Sequence, residues 1–176
     1  MSIQDEVNGH LTTGHLIRLR LFYPGLPEKR VLYLTPTLMA LLQGPWAGNV
    51  KWEKRWSVAR QTLDDFINGL PRDRIFVRSA PRKKSSAFMS QLDPEKDEIW
   101  EMRCRDPKPG LRIFGSFIAQ DIFVALTAAP HECLSSEEDW NRAIREYKEE
   151  WNRYFNSAAF AGSYPDDYLT KAIVLD

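Results

Sequence analysis

Between residues 16 and 23 apolar and basic positions alternate, with Ile17, Leu19 and Leu21 on one face and Arg18 and Arg20 on the other. That period of two predicts a half-buried strand with a basic outer side. Pro24-Gly25 turns the chain, and residues 30–34 return as a partner strand. Residues 1–14, ahead of this pair, are polar and are expected to be loosely held. Thr35-Pro36 then reads as a helix start, Thr as cap and Pro in the first turn. The helix carries Leu38, Met39, Leu41 and Leu42 and stops at Gly44-Pro45. From residue 51 the period lengthens. Trp52, Trp56, Ala59, Leu63, Phe66 and Ile67 recur at helical spacing and leave Lys54, Arg55, Gln61 and Asp65 outside, with Asn68-Gly69 as the stop. Residues 74–77 predict a short strand, and 87–92 fit either a strand or a helical turn.

The dominant pattern spans residues 98–127. Three runs rich in β-branched and aromatic residues, 98–105, 111–118 and 122–127, are separated by Asp106-Pro-Lys-Pro-Gly110 and by a tight turn at 119–121. They predict an antiparallel meander. Beyond it, Ser135 or Ser136 caps a helix whose first turn holds Glu137, Glu138 and Asp139. Its apolar stripe is Trp140, Ala143, Ile144, Tyr147, Trp151, Tyr154 and Phe155. Residues 157–165 form a loop, and 172–175 predict a closing strand. The fold class is therefore α+β: an antiparallel sheet centred on 98–127 and packed against helices that precede and follow it. The 176 residues suit one domain, with an N-terminal strand and helix extension to residue 50, a core over 51–156 and a tail over 157–176.

Charge changes this picture little. Lys and Arg number 24, Asp and Glu 24, for a formal net charge of zero. This argues against a generic polyanion binder and leaves room for a local basic face. Cys104 and Cys133 lack metal-ligand spacing and read as reduced thiols. No apolar signal segment or membrane span is apparent, so a cytoplasmic protein without a membrane partner is expected. No glycine-rich phosphate loop, zinc-ligand set or nucleophile elbow occurs, and no cofactor is expected.

Trp100-Glu-Met-Arg103, a Pro/Gly turn, Leu111-Arg-Ile-Phe114 and Ile122-Phe-Val-Ala-Leu126 together resemble the phage-derived branch of the RelE/HigB toxin superfamily. There the sheet core reads W-E-x-R, then G-x-R-x-F, then an apolar strand, with helices upstream. The match covers roughly residues 52–129. The resemblance implies a metal-independent mRNA endoribonuclease, with an antitoxin protein and mRNA or the ribosome as partners. It also implies Arg103 and Arg112 as basic strand residues of the site, and His131 near the basic position that follows the last strand. This chain departs from the family pattern there. The usual Lys/Arg-rich segment is replaced by Ala128-Ala-Pro-His-Glu132.

From the residues alone, Glu101 and Arg103 share a strand face, and a cross-strand ion pair with Arg112 is the simplest reading. Arg82-Lys83-Lys84 is the densest basic run. With Arg74, Arg78, Arg103, Arg105 and Arg112 it forms a candidate phosphate-binding surface. Three functional expectations follow. The first is a RelE-like ribonuclease using Arg103, Arg112 and His131, with Arg82, Lys83, Lys84 and Arg105 on the substrate. The second is an inactive relative of that fold serving as a protein-binding module in a phage or mobile element, motivated by the altered segment after the last strand. The third is a nucleic-acid-binding protein without chemistry.

Overall fold

The computed structural model describes residues 1–46, 48–69, 75–79 and 87–170. Among the described residues five helices, α1 (Ile3–Thr13), α2 (Pro36–Gln43), α3 (Val50–Asn68), α4 (Glu137–Tyr154) and α5 (Pro165–Tyr168), surround one sheet. Its strands are β1 (Ile17–Leu19), β2 (Val31–Leu34), β3 (Ile75–Phe76), β4 (Met89–Gln91), β5 (Trp100–Cys104), β6 (Leu111–Ala119) and β7 (Ile122–Pro130). They run in the order β1-β2-β7-β6-β5-β4-β3.

The α+β class holds, and β5, β6 and β7 form the antiparallel meander. The sheet as a whole is mixed, which corrects the antiparallel expectation. β2 runs parallel to β7, and β3 parallel to β4. The β1–β2 hairpin reaches β7 only after the chain has crossed α2, α3 and the rest of the sheet. A crossover of that length permits parallel pairing, which a short turn forbids.

Side-chain alternation sorts the sheet into two packed faces. Trp100, Met102, Cys104, Leu111, Ile113, Phe117, Phe123 and Ala125 bury against α2 and α3 residues such as Leu38, Trp56, Leu63 and Phe66. Phe114, Ile118, Val124 and Leu126 bury on the other side, with Val7 of α1 and Tyr147 and Trp151 of α4. The phase is kept by Gly115. Register shifts between Phe114 and Gly115, and a Cβ there would sit 2.3 Å from the Val124 carbonyl oxygen. A glycine lets the two backbones close at this bulge.

Two further expectations are corrected. Residues 1–14 are not loose: Ser2 and Asp5 form a reciprocal capping box, Gly14 ends α1 in the left-handed region, and Val7 is fully buried. Glu6 fastens this helix to the far end of α4, accepting from the Asn156 N–H at 2.7 Å and the Ser157 hydroxyl at 2.6 Å. Arg55, expected outside, is 2% exposed and bonds Glu132 at 2.6 Å. Helical spacing assigned it to the polar face, but the turn after β7 folds over that face and supplies a carboxylate. The predicted strand at 172–175 lies outside the described residues.

Candidate functional site

The site grows from β5 and β6. Residues two apart on a strand share a face, so Glu101 and Arg103 project together toward α4. Arg103 pairs directly with Arg112 across the β5–β6 ladder. Two guanidinium groups are thus neighbours on a surface where like charges repel. Glu101 resolves the conflict. Its Oε1 accepts from Arg103 Nε at 2.8 Å, and its Oε2 lies 2.9 Å from Arg112 Nε. The three side chains are 4, 10 and 14% exposed for Glu101, Arg103 and Arg112 respectively. Burial pushes the Arg112 guanidinium below its ordinary pKa, while Glu101 opposes the shift.

His131 arrives from the end of β7. Pro130 closes the strand, and a single 3-10 turn, His131–Cys133, follows. Two contacts fix this turn. The His131 N–H donates to the Gly110 carbonyl at 3.0 Å. Arg55, with its guanidinium 5.5 Å from the Trp52 ring centroid, holds Glu132. Burial pushes the Glu132 carboxyl upward, but the Arg55 hydrogen bond and charge outweigh it and leave the pKa below its ordinary value. Gly110 has φ +64°, and a Cβ on it would meet the Cys104 carbonyl oxygen at 2.3 Å, so the turn that receives His131 demands glycine. Burial and the charge of Arg112 both hold the His131 imidazole below its ordinary pKa.

The structure therefore brings Arg103, Arg112 and His131 to one place, the wall shared by two open clefts. Arg105 joins them, lining one cleft beside Lys108 and donating to the Ala87 carbonyl at 2.9 Å. Arg78 lines the other, paired with Asp93 at 2.5 Å. Arg74 and the run Arg82-Lys83-Lys84 lie outside the described residues. Among the described residues no group of three His, Cys, Asp or Glu is placed to hold a metal ion, and no helix is long and apolar enough to cross a membrane. Both cysteines are free. Cys133 is exposed, and burial pushes the Cys104 thiol up to about 12, which leaves it protonated.

Sequence reasoning missed three contributors. Trp140 was assigned wholly to the apolar stripe of α4, yet it lines a cleft, edge-on to Phe114 at 6.1 Å between centroids. Its position in the first turn of α4, at the start of the stripe, is the available signal. Lys108 lies within the Pro-rich turn, where the sequence offers only punctuation, yet it lines a cleft. Arg55 positions the His131 turn across 77 residues of sequence separation, and no local pattern announces such a contact.

Comparisons with known protein families, curated proteins and solved structures return no match.

Proposed function

We propose that the chain is a RelE-like endoribonuclease whose cleft holds an RNA phosphodiester between Arg103, Arg112 and His131. The observation that carries this reading is the meeting of those three side chains, from three segments, on one open wall. The His131 imidazole, held below its ordinary pKa, is neutral at physiological pH and able to accept a proton. In the proposed reaction it takes the proton of a ribose 2′-hydroxyl. The 2′-oxygen attacks the adjacent phosphorus, the bond to the 5′-oxygen of the next nucleotide breaks, and that oxygen takes a proton from solvent, to which His131 returns the one it accepted. The products are a 2′,3′-cyclic phosphate and a 5′-hydroxyl. Arg103 and Arg112 stabilise the charge that builds on the phosphoryl oxygens. An antitoxin protein would silence the enzyme by covering this cleft, and both would act in the cytoplasm.

The test is cleavage of end-labelled RNA, free and ribosome-bound, by the purified chain, alongside transcript integrity and growth after induced expression. Loss of a general base costs about 10²–10⁴-fold, so His131→Gln should lower the rate by that order, and Arg112→Ala should also impair it. Intact RNA in every format would defeat the catalytic reading. Undiminished cleavage by both variants would defeat the site.

A second reading is phosphate binding without cleavage. It is favoured by one contact: Glu101 already engages both arginines. It expects RNA binding that weakens steeply with salt and leaves the RNA whole.

A further inference from the structure

The two clefts that share Arg103, Arg112 and His131 differ in charge. One, of about 420 Å³, adds Arg105, Lys108 and Pro109, so among the described residues its charged lining is basic, with Glu101 paired behind Arg103 and Arg112. The other, of about 490 Å³, opens between the sheet and the first turns of α4 and adds Trp140 and Ile144 as apolar wall. Asn141, Glu137 and Asp93 also line it. A polyanionic backbone is drawn along the first, whereas in the second Arg78 is paired to Asp93 and Glu137 adds a carboxylate, so the acids balance the arginines there. A planar, uncharged, hydrogen-bonding group suits the second and gains nothing from the first.

We infer that the Trp140 cleft is a nucleobase pocket for the nucleotide adjoining the bound phosphate. This rests on the RNA-binding reading above and adds base selectivity to it. The shared wall puts the phosphate at the junction, with the backbone running along Arg105 and Lys108 and one base turned toward α4. Aromatic side chains bind bases through their π-faces, and Phe114 braces the Trp140 indole edge-on. The carboxylate of Glu137 accepts N–H donors. Guanine offers two adjacent donors on one edge, adenine and cytosine offer an amino group, and uracil offers one imide N–H flanked by carbonyl oxygens that a carboxylate repels. The cleft should therefore rank guanine first and uracil last.

The experiment uses the full chain and fluorescently labelled hexauridylates whose third base is replaced by guanine, adenine, cytosine or an abasic ribose. Anisotropy at low salt should give the guanine oligonucleotide about tenfold tighter binding than all-uridine, with the abasic one weakest. Base stacking on an aromatic is worth about ten- to a hundredfold in affinity, so Trp140→Ala should remove most of the advantage of every base over the abasic ribose and Trp140→Phe should retain it. Glu137→Gln and Asn141→Ala alter exposed positions of α4 and test base selection without disturbing the core. Glu137→Gln should bring guanine and uracil closer together. Equal affinity for all four bases and for the abasic oligonucleotide, with binding still lost in Arg112→Ala, would overturn the base pocket and leave the phosphate site standing. Failure of every oligonucleotide to bind would overturn both.

Discussion

Glu101 holds two guanidinium groups that the β5–β6 register places side by side. Its removal should be felt first as lost stability, because Arg112, only 14% exposed, loses the carboxylate 2.9 Å from its Nε. Glu101→Gln should destabilise the fold by about 3 kcal/mol, measured as a lower urea midpoint at constant slope. If the arginines form an anion site, inorganic phosphate should then recover more stability in Glu101→Gln than in the native chain, since it takes the vacated role. An equal effect of phosphate on both proteins would deny the arginines that capacity. His131 supplies a second residue-scale prediction. Its pKa lies below 6.5 because of burial and then the Arg112 charge. The neutral form is thus dominant above that value, and any base function fails as pH falls through it. Titration of the His131 ring by NMR should show a midpoint under 6.5, and Arg112→Gln should move it upward. A midpoint unmoved by that substitution would mean the two side chains are not electrostatically coupled.

At the scale of the element, α4 depends on how it starts. Ser136 accepts from the Asp139 N–H at 3.1 Å, and the Asp139 carboxylate accepts in return from the Ser136 N–H at 3.2 Å and the Arg142 guanidinium at 2.6 Å. The Ser136 hydroxyl also donates to the Asp139 carboxylate at 2.8 Å, and this bond, followed by that from Arg142, lowers the Asp139 pKa from 3.8 to about 2. A depressed acid contributes stability above its unfolded pKa and loses it as pH falls through the folded one. Helix stability should therefore decline between about pH 4 and pH 2, and Asp139→Asn should flatten that part of the profile in circular dichroism. Ser136→Ala should cost about 1 kcal/mol. The same element shows what a sequence discloses. Ser136, the acids after it and the stripe from Trp140 to Phe155 are all local signals, so the helix and its buried face were legible. The strand boundaries of the meander were legible for the same reason, since Asp106-Pro-Lys-Pro-Gly110 punctuates them. α1 carried a comparable signal, Ser2-x-x-Asp5 with Gly14, but low hydrophobicity masked it until Glu6 and Val7 found partners on α4 and the sheet. The parallel pairing of β2 with β7, the burial of Arg55 and the meeting of His131 with Arg112 depend on contacts between distant segments, and nothing in a local window encodes them.

For the molecule as a whole, a net charge of zero means that no long-range field draws nucleic acid toward it. Attraction must come from the cleft itself. Four of its cations, Arg103, Arg105, Lys108 and Arg112, line one continuous wall. Each phosphate neutralised on single-stranded RNA contributes about −0.7 to the slope of log K against log salt, so a fully engaged wall gives about −3. The slope should fall in magnitude by about 0.7 for each of Lys108→Ala and Arg105→Ala, whereas charge reversals on the far face, such as Lys54→Glu on α3, should leave it unchanged. Lys54 is exposed on α3 and lines neither cleft. A slope near zero, or one altered equally by substitutions on either face, would show that RNA does not follow this wall.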